Sequence, residues 1–222
     1  MISLSLPSED KPQNSMVSIK RLWIWCRRIR HSAGFGVQSP TDFFLITSVM
    51  YEKRPYYAYQ ALSEEHYDSL LPHYRTKINR LLFRMINYTQ PKNLLEVGRD
   101  NGEALQYMCL AKKGMDTFAI KSHERQVTLK QLESKLEEWK LLGCLHIGHT
   151  LYYKEVFEAA LPYMKPDSWM IIGGIHATKD RERWWKELQK DERTVITYDL
   201  YDVGFVFFEE KRYKENYIVN FL

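Results

Sequence analysis

A short apolar run that ends in an acid and turns on two glycines constrains this chain more than any other feature. It reads Asn93-Leu94-Leu95-Glu96-Val97-Gly98-Arg99-Asp100-Asn101-Gly102, and an amphipathic segment follows it. The order strand, tight turn, helix is the ligand-cradling corner of an open α/β sheet. Glycine suits such a turn because it tolerates positive φ and lets backbone approach a ligand closely. Free N–H groups at the start of the next helix favour an anionic group such as a carboxylate or phosphate. The turn lacks the full G-x-G-x-x-G spacing of an NAD corner and the G-K-[ST] ending of a phosphate loop. A glycine turn kept only for its geometry fits the same residues.

At 222 residues the chain has room for one α/β domain with an appendage. Hydrophobic residues at 45% and charged residues at 27% support a globular core and exclude wholesale disorder. A net charge of +4 is too mild to argue for a nucleic-acid partner, and much of the positive charge sits near the N-terminus. Cys26, Cys109 and Cys144 lie far apart without C-x-x-C spacing. They read as buried thiols of a reducing compartment rather than disulfides or zinc ligands. No apolar run approaches transmembrane length and no secretory signal is visible, so the expected location is cytoplasmic.

Three regions follow from the pattern: a disordered tail over 1–15, a helical arm over 16–90 and an α/β domain over 91–222. Within the arm, a helix from Met16 to His31 places Ile19, Leu22, Cys26 and Ile29 on one face, opposite Lys20, Arg21, Arg27 and Arg28. The favoured reading is a docking helix whose apolar face covers the domain while the arginines stay wet. The competing one is an interfacial or polyanion-binding helix. After the turn Gly34-Phe35-Gly36-Val37-Gln38-Ser39-Pro40, Thr41 is the expected N-cap of a helix to Met50 that buries Phe43, Phe44 and Ile46. Tyr51 to Tyr59 reads as irregular, and Ser63 as the cap of a helix with Glu64 and Glu65 in its first turn. A helix from Tyr74 to Asn87 directs Ile78, Leu81, Leu82, Met85 and Ile86 inward.

From Lys92 strands and helices alternate. Strands are expected at Asn93–Val97, Thr117–Lys121, Leu142–Ile147, Trp169–Ile172, Thr194–Leu200 and Val203–Glu209. Helices are expected at Asn101–Lys113, Glu124–Lys140, Leu151–Met164 and Lys179–Lys190. The last two strands are joined too tightly for a crossover, which predicts an antiparallel hairpin. A strand ending in Glu-Val-Gly suits S-adenosylmethionine (SAM), whose ammonium a nearby carboxylate can pair.

These residues resemble the small bacterial class I SAM-dependent methyltransferase-like proteins. The resemblance rests on Gly34-Phe35-Gly36-Val37-Gln38-Ser39-Pro40 with Phe43 and Phe44, on Leu95-Glu96-Val97-Gly98 through Gly102, and on Gly174-Ile175-His176 with the hairpin from Thr194 to Phe208. It implies a Rossmann-like α/β fold, a mostly parallel sheet closed by a C-terminal antiparallel hairpin, with an N-terminal helical arm. It also implies SAM as cofactor, held by Glu96, Gly98, Asp100 and Gly102, with a small-molecule or protein substrate.

The departures fall on the chemistry. Lys121 stands where the family presents an acid to the SAM ribose, and a lysine cannot accept those hydrogen bonds. The acids that hold a divalent cation in related enzymes are replaced in His146-Ile147-Gly148-His149 and Gly173-Gly174-Ile175-His176. The family's third strand and the helix after it are missing. In the family's count the sheet should then run 2-1-4-5-7-6, all parallel except the seventh strand (Val203–Glu209). Right-handed crossovers place Glu124–Lys140 on the face opposite Asn101–Lys113. Thr117–Lys121 becomes an edge, to be guarded by Lys112, Lys113 and Lys121, covered by the arm, or paired in a homodimer.

His149 and His176 are the candidate catalytic bases. Convergence of His146, His149 and His176 on a metal is the lesser alternative to packing histidines, and no metal site is expected. Trp184 and Trp185 in a charged helix predict one tryptophan packed on the sheet and one partly exposed. Two functions follow: SAM-dependent methyl transfer, with the missing acids arguing against competence, or a non-catalytic protein-binding scaffold that uses the basic helix and the Trp184/Trp185 surface.

Overall fold

The computed structural model describes residues 13–63, 67–68 and 70–222. The expected tail over 1–15 lies mostly outside them, as do Glu64 and Glu65. Helix α1 (Gln13–Arg27) is followed by a 3₁₀ turn (Ile29–His31), α2 (Pro40–Phe44) and a π-helical stretch (Leu45–Met50). Two further arm helices are α3 (Tyr57–Ser63) and α4 (Thr76–Thr89). The domain then alternates: β1 (Asn93–Val97), α5 (Glu103–Ala111), β2 (Asp116–Ile120), α6 (Arg125–Trp139), β3 (Leu142–Ile147) and α7 (Tyr153–Ala160). It closes with β4 (Met164–Gly173), α8 (Lys179–Leu188), β5 (Ile196–Asp199), β6 (Val203–Phe207) and β7 (Glu215–Ile218).

One seven-stranded sheet has the order β2-β1-β3-β4-β6-β5-β7. β6 is antiparallel to both β4 and β5, and every other pairing is parallel. This is the expected order with one strand added: β7 pairs with β5 at an edge that the sequence reading left bare. β2 forms the opposite edge, as expected. Alternation along β1 divides the core. Leu94 packs beneath α4 and α5 with Ile78, Leu82, Ala104 and Met108, while Leu95 and Val97 pack beneath α6 and α7 with Leu132, Leu136, Val156 and Phe157. Thus α5 and α6 cover opposite faces, as right-handed crossovers demand.

Several local expectations are corrected. Ser39, rather than Thr41, accepts the capping hydrogen bond from the Asp42 amide, with Pro40 in the first turn. The helix therefore starts earlier, and Phe43 and Phe44 stay exposed while Asp42 is buried. Asp42 accepts from Tyr198 Oη (2.5 Å) and Tyr217 Oη (2.8 Å) and pairs with Arg212. Burial alone would raise its pKa; these donors, Arg212 first, outweigh it and hold the carboxyl low. Ser63 is the last residue of α3, and the first turn of the helix expected to follow it falls on residues outside those described. Trp184 (8% exposed) and Trp185 (1%) are both buried, so they form no surface patch. Trp184 packs on Tyr153 and Phe157, and Trp185 packs over Gly204, where a Cβ would lie 2.5 Å from its ring.

Helix α1 docks at the β5–β6 turn rather than at the β2 edge, and in the sense opposite to the favoured reading. Arg21 pairs with Asp202 (2.7 Å) and Arg28 with Asp199 (2.8 Å), while Ile19, Leu22, Trp23, Cys26 and Ile29 face outward. Cys26 is therefore exposed, whereas Cys144 is buried and all three thiols are free.

Candidate functional site

The corner after β1 forms where the sequence places it. Gly98 (φ +150°) and Gly102 (φ +81°) both adopt positive φ. Gly98 also allows a close approach: a Cβ there would lie 2.7 Å from the His149 amide nitrogen. Yet five of the six amides from Gly98 to Glu103 are already bonded within the chain. Gly98 N–H donates to Ile120 O (3.0 Å), Arg99 N–H to His149 O (3.0 Å) and Asn101 N–H to Pro72 O (3.0 Å). Gly102 N–H donates to Asp100 Oδ1 (2.8 Å) and Glu103 N–H to Asn101 Oδ1 (3.1 Å). The two Asx turns follow from the Asp-Asn-Gly sequence, and they satisfy the donors that a ligand carboxylate would use.

Glu96 and Asp100 are likewise turned inward. Glu96 pairs in register with His146 across β1 and β3, on the same sheet face. His146 Nδ1 lies 2.8 Å from Glu96 Oε2, and Tyr74 Oη lies 3.0 Å from His146 Nε2. Burial first, then the carboxylates of Asp100 and Glu96, push the Tyr74 phenol strongly upward, so it stays protonated beside Nε2. A carboxylate can only accept, so the His146 Nδ1–H donates to Glu96. Glu96 Oε1 is buried with no partner among the described residues. Lys121 is exposed at the end of β2, and a Cβ on Gly102 would lie 3.5 Å from its Nζ.

The three histidines do not converge. His146 is wholly buried and engaged on both nitrogens. His176 Nε2 donates to Asp199 Oδ2 (2.7 Å), with the Arg28 guanidinium 3.1 Å away, and its ring stacks on Tyr201. Burial would raise the Asp199 pKa; the His176 hydrogen bond and the Arg28 charge outweigh it and lower it. His149 is solvent-accessible. The covering it does have lowers its pKa, with the nearby Asp100 carboxylate opposing and Arg181 reinforcing. Among the described residues no group of three or more His, Cys, Asp or Glu is placed to hold a metal ion.

Above the strand ends lies an open cleft of about 480 Å³, lined by Pro72, Arg99, His123, His149, Tyr152 and Arg181 among others. A neighbouring cleft of about 390 Å³ shares His149 and reaches Tyr74, His176 and Asp202. Arg181 fastens the loops between them, donating to the carbonyls of Gly173 (2.5 Å), Gly148 (3.3 Å) and Thr150 (2.7 Å). Sequence reading missed Arg181, Tyr74, Asp199 and Asp202. Each looked like an ordinary surface or helix-face residue, and only their long-range partners distinguish them.

No protein-family model and no curated protein matches this chain. Solved structures do. An O-methyltransferase from Bacillus cereus in complex with S-adenosylhomocysteine (SAH) aligns over 76% of this chain and 96% of its own, at 12% identity and TM-score 0.51. A methyltransferase from Geobacter sulfurreducens aligns over 72% of this chain and 92% of its own, at 13% identity and TM-score 0.52. The chain has the Rossmann-like class I methyltransferase fold. No helix among the described residues is long and apolar enough to cross a membrane.

Proposed function

We propose that this chain uses a class I methyltransferase-like fold as a binding scaffold, holding SAM weakly and not turning over methyl groups at a useful rate. The observation that carries the reading is the occupied corner. A ligand entering over Gly98–Glu103 meets amides already bonded to Ile120, His149, Pro72, Asp100 and Asn101. Glu96 is held in the sheet interior by His146, and Lys121 offers a donor where a ribose needs an acceptor. Loss of that charge-assisted pair alone costs on the order of 2–4 kcal/mol. SAM and SAH remain the ligands to try first, because SAH occupies the Bacillus cereus enzyme of this fold.

Isothermal titration with SAM and SAH tests the reading. A Kd of about 1 mM or weaker is expected, equivalent to about −4 kcal/mol. Micromolar or tighter binding would overturn it. Lys121→Asp restores an acceptor but leaves the amides occupied, so it should improve affinity by less than about tenfold.

A second reading, methyl transfer to a small-molecule or protein substrate, is favoured by His149. It is accessible, lines both clefts, and its lowered pKa keeps it unprotonated at neutral pH, as a general base requires. His176 serves that role less well because its Nε2 is committed to Asp199.

A further inference from the structure

Helix α1 is amphipathic in the expected way and docked in the unexpected one. Arg21 and Arg28 lie seven residues apart on one side, and both reach the β5–β6 turn. That attachment leaves Ile19 68%, Leu22 62%, Trp23 58% and Ile29 53% exposed. Beyond the helix Phe35 is 76% exposed, so the apolar side runs past the 3₁₀ turn. Exposed apolar residues aligned on one helix face, unlike scattered ones, mark a surface for contact.

Charge identifies what the surface meets. Between Gln13 and Thr41 the chain carries Lys20, Arg21, Arg27, Arg28 and Arg30 and no acidic residue. With Arg21 and Arg28 paired inward, Lys20, Arg27 and Arg30 remain exposed around the apolar stripe. Arg27 lies 4.7 Å from the Trp23 ring, an arginine–tryptophan pair that leaves both groups at the outer surface. A second copy of α1 laid against the first would bring like charges together with no acid on the helix to offset them. A surface of anionic headgroups over hydrocarbon complements both features at once: cations at the phosphate level, Trp23 and Leu22 below it.

We propose that α1 is a peripheral anchor that lays its outward face on an anionic lipid surface, held to the α/β domain by Arg21–Asp202 and Arg28–Asp199. The proposal goes beyond the scaffold reading and does not depend on whether SAM binds.

The test is sedimentation of the full chain with vesicles of phosphatidylcholine alone and of phosphatidylcholine mixed with phosphatidylglycerol. Binding to the mixed vesicles should be at least about tenfold stronger and should weaken as salt rises. Leu22→Ser combined with Trp23→Ser should lower it by about tenfold or more with the melting temperature unchanged, since both side chains are exposed. Arg27→Glu with Arg30→Glu should abolish the preference for the anionic vesicles. Failure to sediment with either vesicle overturns the proposal, as does binding that the double serine variant leaves intact. A concentration-dependent dimer that the serine variant dissociates, seen without vesicle binding, would assign the face to a second copy instead.

Discussion

The corner after β1 and the seam between α1 and the β5–β6 turn both use polar groups the sequence displays openly, and they use them in opposite ways. At the corner, residues that look ready for a ligand are engaged by close neighbours: Asp100 by Gly102, Asn101 by Glu103. At the seam, residues that look solvated are engaged across the chain, Arg21 by Asp202 and Arg28 by Asp199 and His176. The corner thereby loses donors it was expected to offer. The seam turns outward the apolar face that was expected to be covered. A motif states which groups are present; the partners of those groups decide whether any of them is available.

The largest test of this contrast falls on Gly98. An alanine there would place its Cβ 2.7 Å from the His149 nitrogen and 3.0 Å from the Gly148 carbonyl carbon, in a positive-φ conformation. Backbone cannot swing aside as a side chain can, so Gly98→Ala should cost about 3 kcal/mol in urea unfolding. A cost below about 1 kcal/mol would mean the corner is looser than its hydrogen bonds imply.

Next comes the pair beneath the corner. Glu96→Ala leaves the His146 Nδ1–H buried without an acceptor and should cost about 2–3 kcal/mol, whereas Glu96→Gln keeps an acceptor and should cost about 1 kcal/mol. Equal costs in denaturant melts would show that the hydrogen bond to His146 is not what holds Glu96 inward.

The smallest effect belongs to the seam, and pH reveals it. Asp199 and Asp202 are both held below the usual carboxylate pKa. Burial opposes this in each, but His176 and Arg28 outweigh it at Asp199, and Arg21 and Arg75 at Asp202. Depressed carboxyl pKa values give stability that is complete above the unfolded value of about 4 and is lost as pH falls through the folded values. Hydrogen exchange in α1, taken relative to the intrinsic amide rate at each pH, should therefore accelerate below about pH 4. Asp202→Asn should raise it at neutral pH by about fivefold, near 1 kcal/mol, with global stability changed by less than about 0.5 kcal/mol. Unaltered exchange in α1 would show that the two ion pairs do not hold the helix.

Much of the fold was legible because its signals are local or periodic. Leu94 and Leu95 alternate between faces, Gly98 and Gly102 bracket the turn, and Tyr201-Asp202 leaves no length for a crossover between β5 and β6. The shortened sheet with β2 at its edge followed from counting strand–helix units and from crossover handedness. Strand β7 escaped because Glu215–Ile218 is mostly exposed and carries no alternating apolar pattern. The two buried tryptophans escaped because Trp184 meets Tyr153 and Phe157 while Trp185 meets Gly204, so that two adjacent side chains find room.

What the sequence by itself determined, then, was the alternation of elements, their order in the sheet and the glycine corner, since each rests on spacing within a few residues or on the length of a connection. The Asp-Asn-Gly turn belongs with these, because an Asx side chain reaches only an amide two residues on. Only the tertiary structure decided where Glu96 points and which face of α1 is covered. Glu96 meets His146 through the register of β1 on β3, fifty residues away, and Arg21 meets Asp202 across 181 residues. Helical periodicity defines an apolar stripe without saying which way it faces. The choice went to the arginine side because the two carboxylates at the β5–β6 turn lie opposite it, and Arg21 and Arg28 join Arg75 and His176 in offsetting the cost of burying them.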